Sequence, residues 1–329
     1  MILNKPIISA VGKYLPEKIL TNHDLEGLVN TSDEWIKTRT GIENRHIVTN
    51  GQASVDMSVR AIDNLKTNFN LDCKQIDLII VATTTPDRIF PSTSSQIQKL
   101  ISATNAATLD ISVACSGFVY GLSIASAYIE SNKYNKILLV GVDTMSSILD
   151  FNDRNTCVLF GDGAGVVLIE SGSENGIIDT VLKSDGNGGE SLYMDGGGSL
   201  NPASHKTIDN GLHFVKQDGK NVFKKAVKSM VEVSNEIMLR NNLEISDIDM
   251  LIPHQANKRI IDLVGKQLNM SKKKIFVNID KYANTTAATI PICIEEIYSQ
   301  NLLNCGDNVI ITAFGAGYSW GATFFKWSL

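Results

Sequence analysis

Cys115 sits where an apolar run gives way to a helical one, in Thr108-Leu-Asp-Ile-Ser-Val-Ala-Cys-Ser-Gly-Phe-Val-Tyr-Gly121. Leu109, Ile111 and Val113 predict a buried strand, Ala114, Ser116 and Gly117 a turn, and residues 118–129 a helix. A thiol there lies at the positive end of a helix dipole, which favours a low-pKa thiolate. A small buried cysteine filling a core gap would look the same in sequence, so the rest of the chain has to decide.

His254 follows Leu251-Ile-Pro and precedes Gln-Ala-Asn-Lys-Arg-Ile-Ile. Its imidazole is therefore expected at a strand's exit before a helix, where sites of α/β proteins lie. Asn284 ends Val277-Asn-Ile-Asp-Lys-Tyr-Ala-Asn, where another strand is predicted to break at small and polar residues. An asparagine there can cap a turn or aim a neutral amide at an oxyanion. The turn Phe314-Gly-Ala-Gly-Tyr-Ser-Trp-Gly321 could bring backbone N–H groups together around an anion. Neither it nor Phe160-Gly-Asp-Gly-Ala-Gly165 has the dinucleotide-binding spacing. Cysteine, histidine and asparagine together point to acyl chemistry on a thiol. A protease would use His as base and Asn to orient it; a carbon–carbon bond former would use both as donors to an enolate oxygen. Spacing alone does not separate these.

The elements that must position them alternate. Strands are predicted at Ile7–Val11, Ile76–Ala82, Lys136–Val142 and Cys157–Ile169, with helices over 54–70 and 92–103 and a helix start at Thr31 or Ser32, the pattern of an α/β protein. Residues 171–201, rich in glycine and serine, read as a long connecting loop. Leu71, Ile76 and Asp77 recur as Leu243, Ile248 and Asp249, each 172 residues on. This implies a duplicated chain, with residues 1–175 carrying the cysteine and residues 176–329 the histidine and asparagine.

Composition narrows the class. The 329 residues are 43% hydrophobic and 20% charged, ordinary for a globular chain, and the net charge of −5 argues against a nucleic-acid partner. Five cysteines without CxxC spacing indicate neither a disulfide framework nor a zinc site, and no metal is expected. No leader and no apolar run of about 20 residues is evident, so a cytoplasmic location without membrane contact is expected.

With these motifs in place, the sequence resembles the β-ketoacyl-[acyl-carrier-protein] synthase III family of thiolase-fold condensing enzymes. The resemblance spans essentially the whole chain. It rests on Thr31-Ser-Asp-Glu-Trp-Ile-Lys-Thr-Arg-Thr-Gly-Ile42, Ala114-Cys-Ser-Gly-Phe118, Asp153-Arg154, Phe160-Gly-Asp-Gly-Ala-Gly165, Pro253-His-Gln-Ala-Asn-Lys-Arg-Ile260, Asn284-Thr285 and the final glycine turn. It implies a duplicated five-layer αβαβα fold and a ping-pong condensation without metal or cofactor. Cys115 would take the acyl group of a short acyl-CoA, acetyl-CoA being the expected one. Malonyl-acyl-carrier protein would then lose carbon dioxide, with His254 and Asn284 holding the enolate. Backbone N–H groups of Cys115 and Ala316 would form the oxyanion hole, although many members carry glycine where Ala316 stands. Trp35, Arg39, Arg154 and Asn257 would bind the CoA and its pantetheine arm. Gln255, Ala256, Asn257, Lys258, Arg259 and Lys224, with Lys225 beside it, would dock the carrier protein, and Phe90 would close the acyl pocket across a homodimer interface. The product would initiate fatty-acid synthesis. A relative making quinolone, alkylresorcinol or polyketide starters is the nearest alternative, because Gln217 departs from the usual apolar lining. A degradative thiolase is disfavoured by the lack of a second cysteine in the glycine turn, and a non-catalytic carrier-binding paralogue by the presence of all three reactive residues.

Overall fold

The computed structural model describes residues 5–172 and 174–329. Numbering the strands of the two large sheets and the longer helices, the first half runs β1 (Lys5–Tyr14), α1 (Asp33–Thr40), α2 (Ser54–Phe69), β2 (Leu78–Ala82), α3 (Thr93–Leu100), β3 (Ala107–Ile111), α4 (Gly117–Glu130), β4 (Lys136–Thr144) and β5 (Asp162–Gly172). The second runs β6 (Gly176–Ser184), α5 (Gly219–Arg240), β7 (Met250–Pro253), α6 (Lys258–Gln267), α7 (Thr289–Ser299), β8 (Asn308–Gly315) and β9 (Ser319–Lys326).

The first sheet has the order β1-β5-β4-β2-β3 and the second β7-β8-β9-β6. Read from the other end, β6-β9-β8-β7 repeats β1-β5-β4-β2, with two antiparallel pairings and then a parallel one in each. The registers match as well. Leu78 pairs with Ile137, and 172 residues later Met250 pairs with Val309. The repeat of two short apolar motifs in the sequence is thus a repeat of whole sheets.

Five layers result: α2 and α3 on the outer face of the first sheet, α4 and α7 between the sheets, and α5 and α6 on the outer face of the second. The central strands are apolar throughout because both faces are covered; Leu78–Ala82 and Ile137–Val142 are wholly buried. The buried helices α4 and α7 carry few charges and pack on both sheets. Gly141 permits this approach, since a Cβ there would lie 2.3 Å from the Ala287 carbonyl oxygen.

Three expectations need correction. Cys157 belongs to a short helix, Arg154–Cys157, capped by the Asp153 side chain, and the strand that follows begins only at Asp162. The glycine-rich stretch 171–201 is not all loop, because the Ile177 to Leu182 alternation forms β6 at the edge of the second sheet. Residues 277–284 make no regular strand. A short helix, Ile279–Tyr282, and a single bridge between Asn284 and Phe160 take its place. Apolar runs signalled burial there, and burial without a neighbouring strand does not make a ladder.

Candidate active site

Three chain breaks converge on one cavity of about 660 Å³, lined by Cys115, His254 and Asn284 together with Gly315 and Phe314. Cys115 lies in a 3₁₀ turn, Ala114–Ser116, that runs into α4. Ala114 has φ +45°, a conformation costly for a residue with a Cβ, and it turns the thiol out of the strand direction. Gly315, at the end of β8, closes on this turn: a Cβ there would sit 2.9 Å from the Cys115 and Ser116 nitrogens. Ser116 Oγ donates to the Ser319 carbonyl at 2.8 Å, tying the turn to the hairpin that carries Ala316.

The expected low-pKa thiolate is overturned. Cys115 is 5% exposed, and burial, with the Asp143 carboxylate second, raises its thiol from 9.0 to about 12. That rise corresponds to roughly 4 kcal/mol, whereas a helix N-terminus supplies at most about 2 kcal/mol. Burial wins, and the resting group is a thiol.

His254 is delivered by the end of β7, its N–H donating to the Thr312 carbonyl at 2.8 Å. Burial lowers its pKa from 6.5 to about 3, so the ring is neutral. Nδ1 lies 2.7 Å from Thr289 Oγ1, while Nε2 is buried with no hydrogen-bond partner among the described residues. A buried polar atom left unpaired costs about 1–3 kcal/mol, which marks it as kept for a ligand. Asn284 accepts from the Thr286 N–H through Oδ1 at 2.9 Å, which directs its NH₂ the other way.

The residues expected at the entrance are also placed. The Arg154 guanidinium lies over the Trp35 ring at 4.7 Å and donates to the Asn30 carbonyl. Both line the cavity with Arg39. Asn257 lines it too, but its carboxamide is used within the protein: Oδ1 caps α6 at the Arg259 N–H, and Nδ2 donates to the Arg39 carbonyl. Arg259 is exposed, its guanidinium over Phe223, and Ala256 is half-buried on the wall. Lys224 is exposed at the rim, while Lys258 is paired with Asp262 and Lys225 with Asp185.

Gln255 is a correction to the docking set. It is 1% exposed, donates to the Pro253 and Phe276 carbonyls and accepts from the Asn278 N–H, so it braces the turn behind His254 instead of facing a partner. Phe90 does not line the cavity of its own chain and is 83% exposed on the loop before α3. The residues that sequence reasoning missed are Thr289, at the start of α7, and the apolar walls Leu192, Val222, Phe223 and Met230. Only the spacing of Thr289, five residues after Asn284 at a helix start, offered a signal.

Two family models match, 3-oxoacyl-[acyl-carrier-protein] synthase III over residues 109–186 and the C-terminal part of the same family over residues 238–327. The chain is 49% identical over 327 residues to a β-ketoacyl-[acyl-carrier-protein] synthase III of Chlorobaculum tepidum, covering 98% of this chain and 99% of that one. The chain belongs to the synthase III family. Its members are condensing acyltransferases of the thiolase fold. The crystal structure of 3-oxoacyl-[acyl-carrier-protein] synthase III from Aquifex aeolicus superposes with a TM-score of 0.90 at 40% identity, over 98% of this chain and 100% of that one. A priming β-ketosynthase of a polyketide pathway superposes with a TM-score of 0.92 at 29% identity, over 99% of this chain and 97% of that one.

Proposed function

We propose that this synthase III chain joins a short acyl group from acyl-CoA to malonyl-acyl-carrier protein, giving the 3-oxoacyl-carrier protein that starts a fatty acid. The observation that carries the site assignment is the convergence of Cys115, His254 and Asn284 on one cavity. Cys115 Sγ attacks the thioester carbonyl, CoA leaves, and the proton of the cysteine ends on the CoA thiol. Malonyl thioester then loses carbon dioxide, and the enolate oxygen accepts from His254 Nε2–H and the Asn284 NH₂. The enolate carbon attacks the acyl-cysteine, and the released thiolate regains a proton from water. Backbone N–H groups of Cys115 and Ala316 meet the oxyanion of each tetrahedral intermediate, a contribution typically worth on the order of 10²–10³ in rate.

The neutral ring of His254 suits a donor that stays uncharged beside a forming enolate. Nε2–H requires Nδ1 to accept, so in this scheme the single Thr289 hydroxyl proton goes to Nδ1 at 2.7 Å instead of to the Thr286 carbonyl at 3.1 Å. Trp35 and Arg154 take the CoA adenine, with Arg39 near its phosphates and Asn257 beside the pantetheine arm. Arg259, Lys224 and Lys258 face the acidic carrier, with Ala256 at the mouth. Ile89 and Phe90, 84% and 83% exposed, form an apolar pair that a second copy would cover, which supports the homodimer that the family resemblance implies, with Phe90 closing the partner's acyl pocket. Five free cysteines and no helix among the described residues long and apolar enough to cross a membrane are in keeping with a cytoplasmic enzyme. No metal takes part in this scheme.

The polyketide-starter reading is not favoured. The curated synthase III relatives stand at 45–49% identity and the polyketide enzyme at 29%. The test is to incubate the protein with acyl-CoAs of increasing length and weigh it. An acyl adduct that depends on Cys115 is expected, and its absence would sink the mechanism. Comparing malonyl-carrier protein with malonyl-CoA in the second step separates fatty-acid initiation from a specialised pathway.

A further inference from the structure

One carboxylate outside the reacting set is buried at the centre of the molecule. Asp143, the penultimate residue of β4, is 0% exposed and makes no ion pair among the described residues. It is met instead by neutral donors. Oδ1 accepts from Thr83 Oγ1, from the N–H and hydroxyl of Thr84 at 2.8 and 3.0 Å, and from the N–H and hydroxyl of Thr85 at 3.1 and 2.9 Å. Oδ2 accepts from Thr286 Oγ1 and from the Ala287 N–H. Burying a carboxylate is expensive even when it is well solvated by donors, and packing at the end of a strand does not call for one.

What Asp143 holds is the turn that carries Asn284. Thr286 has φ +51°, an outlier for a β-branched residue that persists only where its surroundings enforce it. In that conformation its N–H reaches Asn284 Oδ1 at 2.9 Å and its carbonyl lies 3.1 Å from Thr289 Oγ1, the hydroxyl that touches His254 Nδ1. An N–H can only donate, so the atom it meets must be the carboxamide oxygen, and the NH₂ is committed to the cavity.

We propose that Asp143 is a positioning residue for the decarboxylation step, clamping Thr286 so that Thr286 fixes the orientation of the Asn284 carboxamide. Asp143 touches no substrate; it acts through Thr286. Its negative charge lies close enough to Cys115 to oppose the thiolate there, second to burial. The clamp therefore favours the second half-reaction at some cost to the first. The proposal rests on the condensing role assigned above.

The test separates the half-reactions in the full-length protein. In Asp143→Asn, acylation of Cys115 by acetyl-CoA should stay within about threefold of wild type, while condensation with malonyl-carrier protein falls at least tenfold. The pH profile of Cys115 alkylation by iodoacetamide should move to lower pH. If Asp143→Asn does not fold, Thr286→Val removes the hydroxyl held by Asp143 and should give the same split, with Thr286→Ser restoring condensation. Equal loss in both half-reactions with an unmoved alkylation profile, or no loss at all, overturns the proposal. A wild-type protein that forms no acyl adduct overturns the condensing role instead. The clamp is then judged from the crystal structure of Thr286→Val, where the Thr286 N to Asn284 Oδ1 contact should be lost, and its retention refutes it.

Discussion

Thr289 Oγ1 lies 2.7 Å from His254 Nδ1 and 3.1 Å from the Thr286 carbonyl, so one hydroxyl at the start of α7 sets what the imidazole offers to the cavity. Thr289→Val keeps the shape and removes that control. Condensation is expected to fall about tenfold, less than the roughly 10²–10⁴-fold that a positioned proton donor contributes in full, with kcat affected more than KM. Thr289→Ser should restore it. An unchanged Thr289→Val would mean that packing alone holds the ring.

The pH behaviour of Cys115 follows from its raised thiol. Because the pKa lies near 12, the thiolate fraction grows with pH and reaches no plateau at ordinary pH. Alkylation by iodoacetamide should accelerate about tenfold per pH unit from 7 to 10. His254, lowered to about 3 by burial, contributes no inflection between pH 5 and 8. A plateau by pH 8 would show an activated thiolate and contradict the burial argument.

Gly315→Ala tests the contact between the glycine turn and the cysteine. The new Cβ would meet the Cys115 and Ser116 nitrogens at 2.9 Å, and backbone cannot yield as a side-chain tip does. Overpacking of this kind costs about 1–3 kcal/mol, and displaced oxyanion donors should cut acyl transfer on the order of 10²-fold. Thermal melting and single-turnover acylation measure the two effects.

At the entrance, Trp35→Ala removes the ring under Arg154. A cation–π contact at an exposed site contributes about 0.5–1 kcal/mol, and the loss of the proposed adenine stacking adds to it. KM for acyl-CoA should rise about tenfold with kcat little changed.

Gln255 and Arg259 lie four residues apart and should fail differently. Arg259→Glu, exposed beside Phe223, is expected to raise KM for malonyl-carrier protein in a salt-dependent way without moving the melting temperature. Gln255→Leu removes three buried hydrogen bonds at 2.7, 3.2 and 3.1 Å and should lower the melting temperature instead.

That Cys115, His254 and Asn284 would meet was legible because each stands at a break between an apolar run and a helix, and such breaks are where α/β chains expose side chains. The duplication was legible from the 172-residue repeat, and the five layers from the family resemblance. The state of Cys115 was not, since the sequence shows the helix behind it but not the depth at which the turn lies. Gln255 misled for a related reason: it falls inside a docking motif, yet Asn257 caps the helix and leaves Gln255 in the buried turn before it. Asp143 gave one faint signal, an acid at the end of the otherwise apolar run Ile137–Val142. Nothing in the chain announced the threonines, contributed by the two distant segments 83–85 and 286, that surround it.

Adding 172 to Cys115 lands on Ala287, and adding it to Asp143 lands on Gly315. At the second helix start the Ala287 N–H donates to the Asp143 carboxylate at 3.3 Å. At the related first start the cysteine replaces the alanine, and the glycine that replaces the acid presses its bare backbone against the Cys115 nitrogen. One backbone arrangement thus occurs twice, once met by the chain's own carboxylate and once with glycine at the acid's position and the cavity beside it. A reacting carbonyl that gains negative charge beside Cys115 would take the place that the carboxylate holds in the twin.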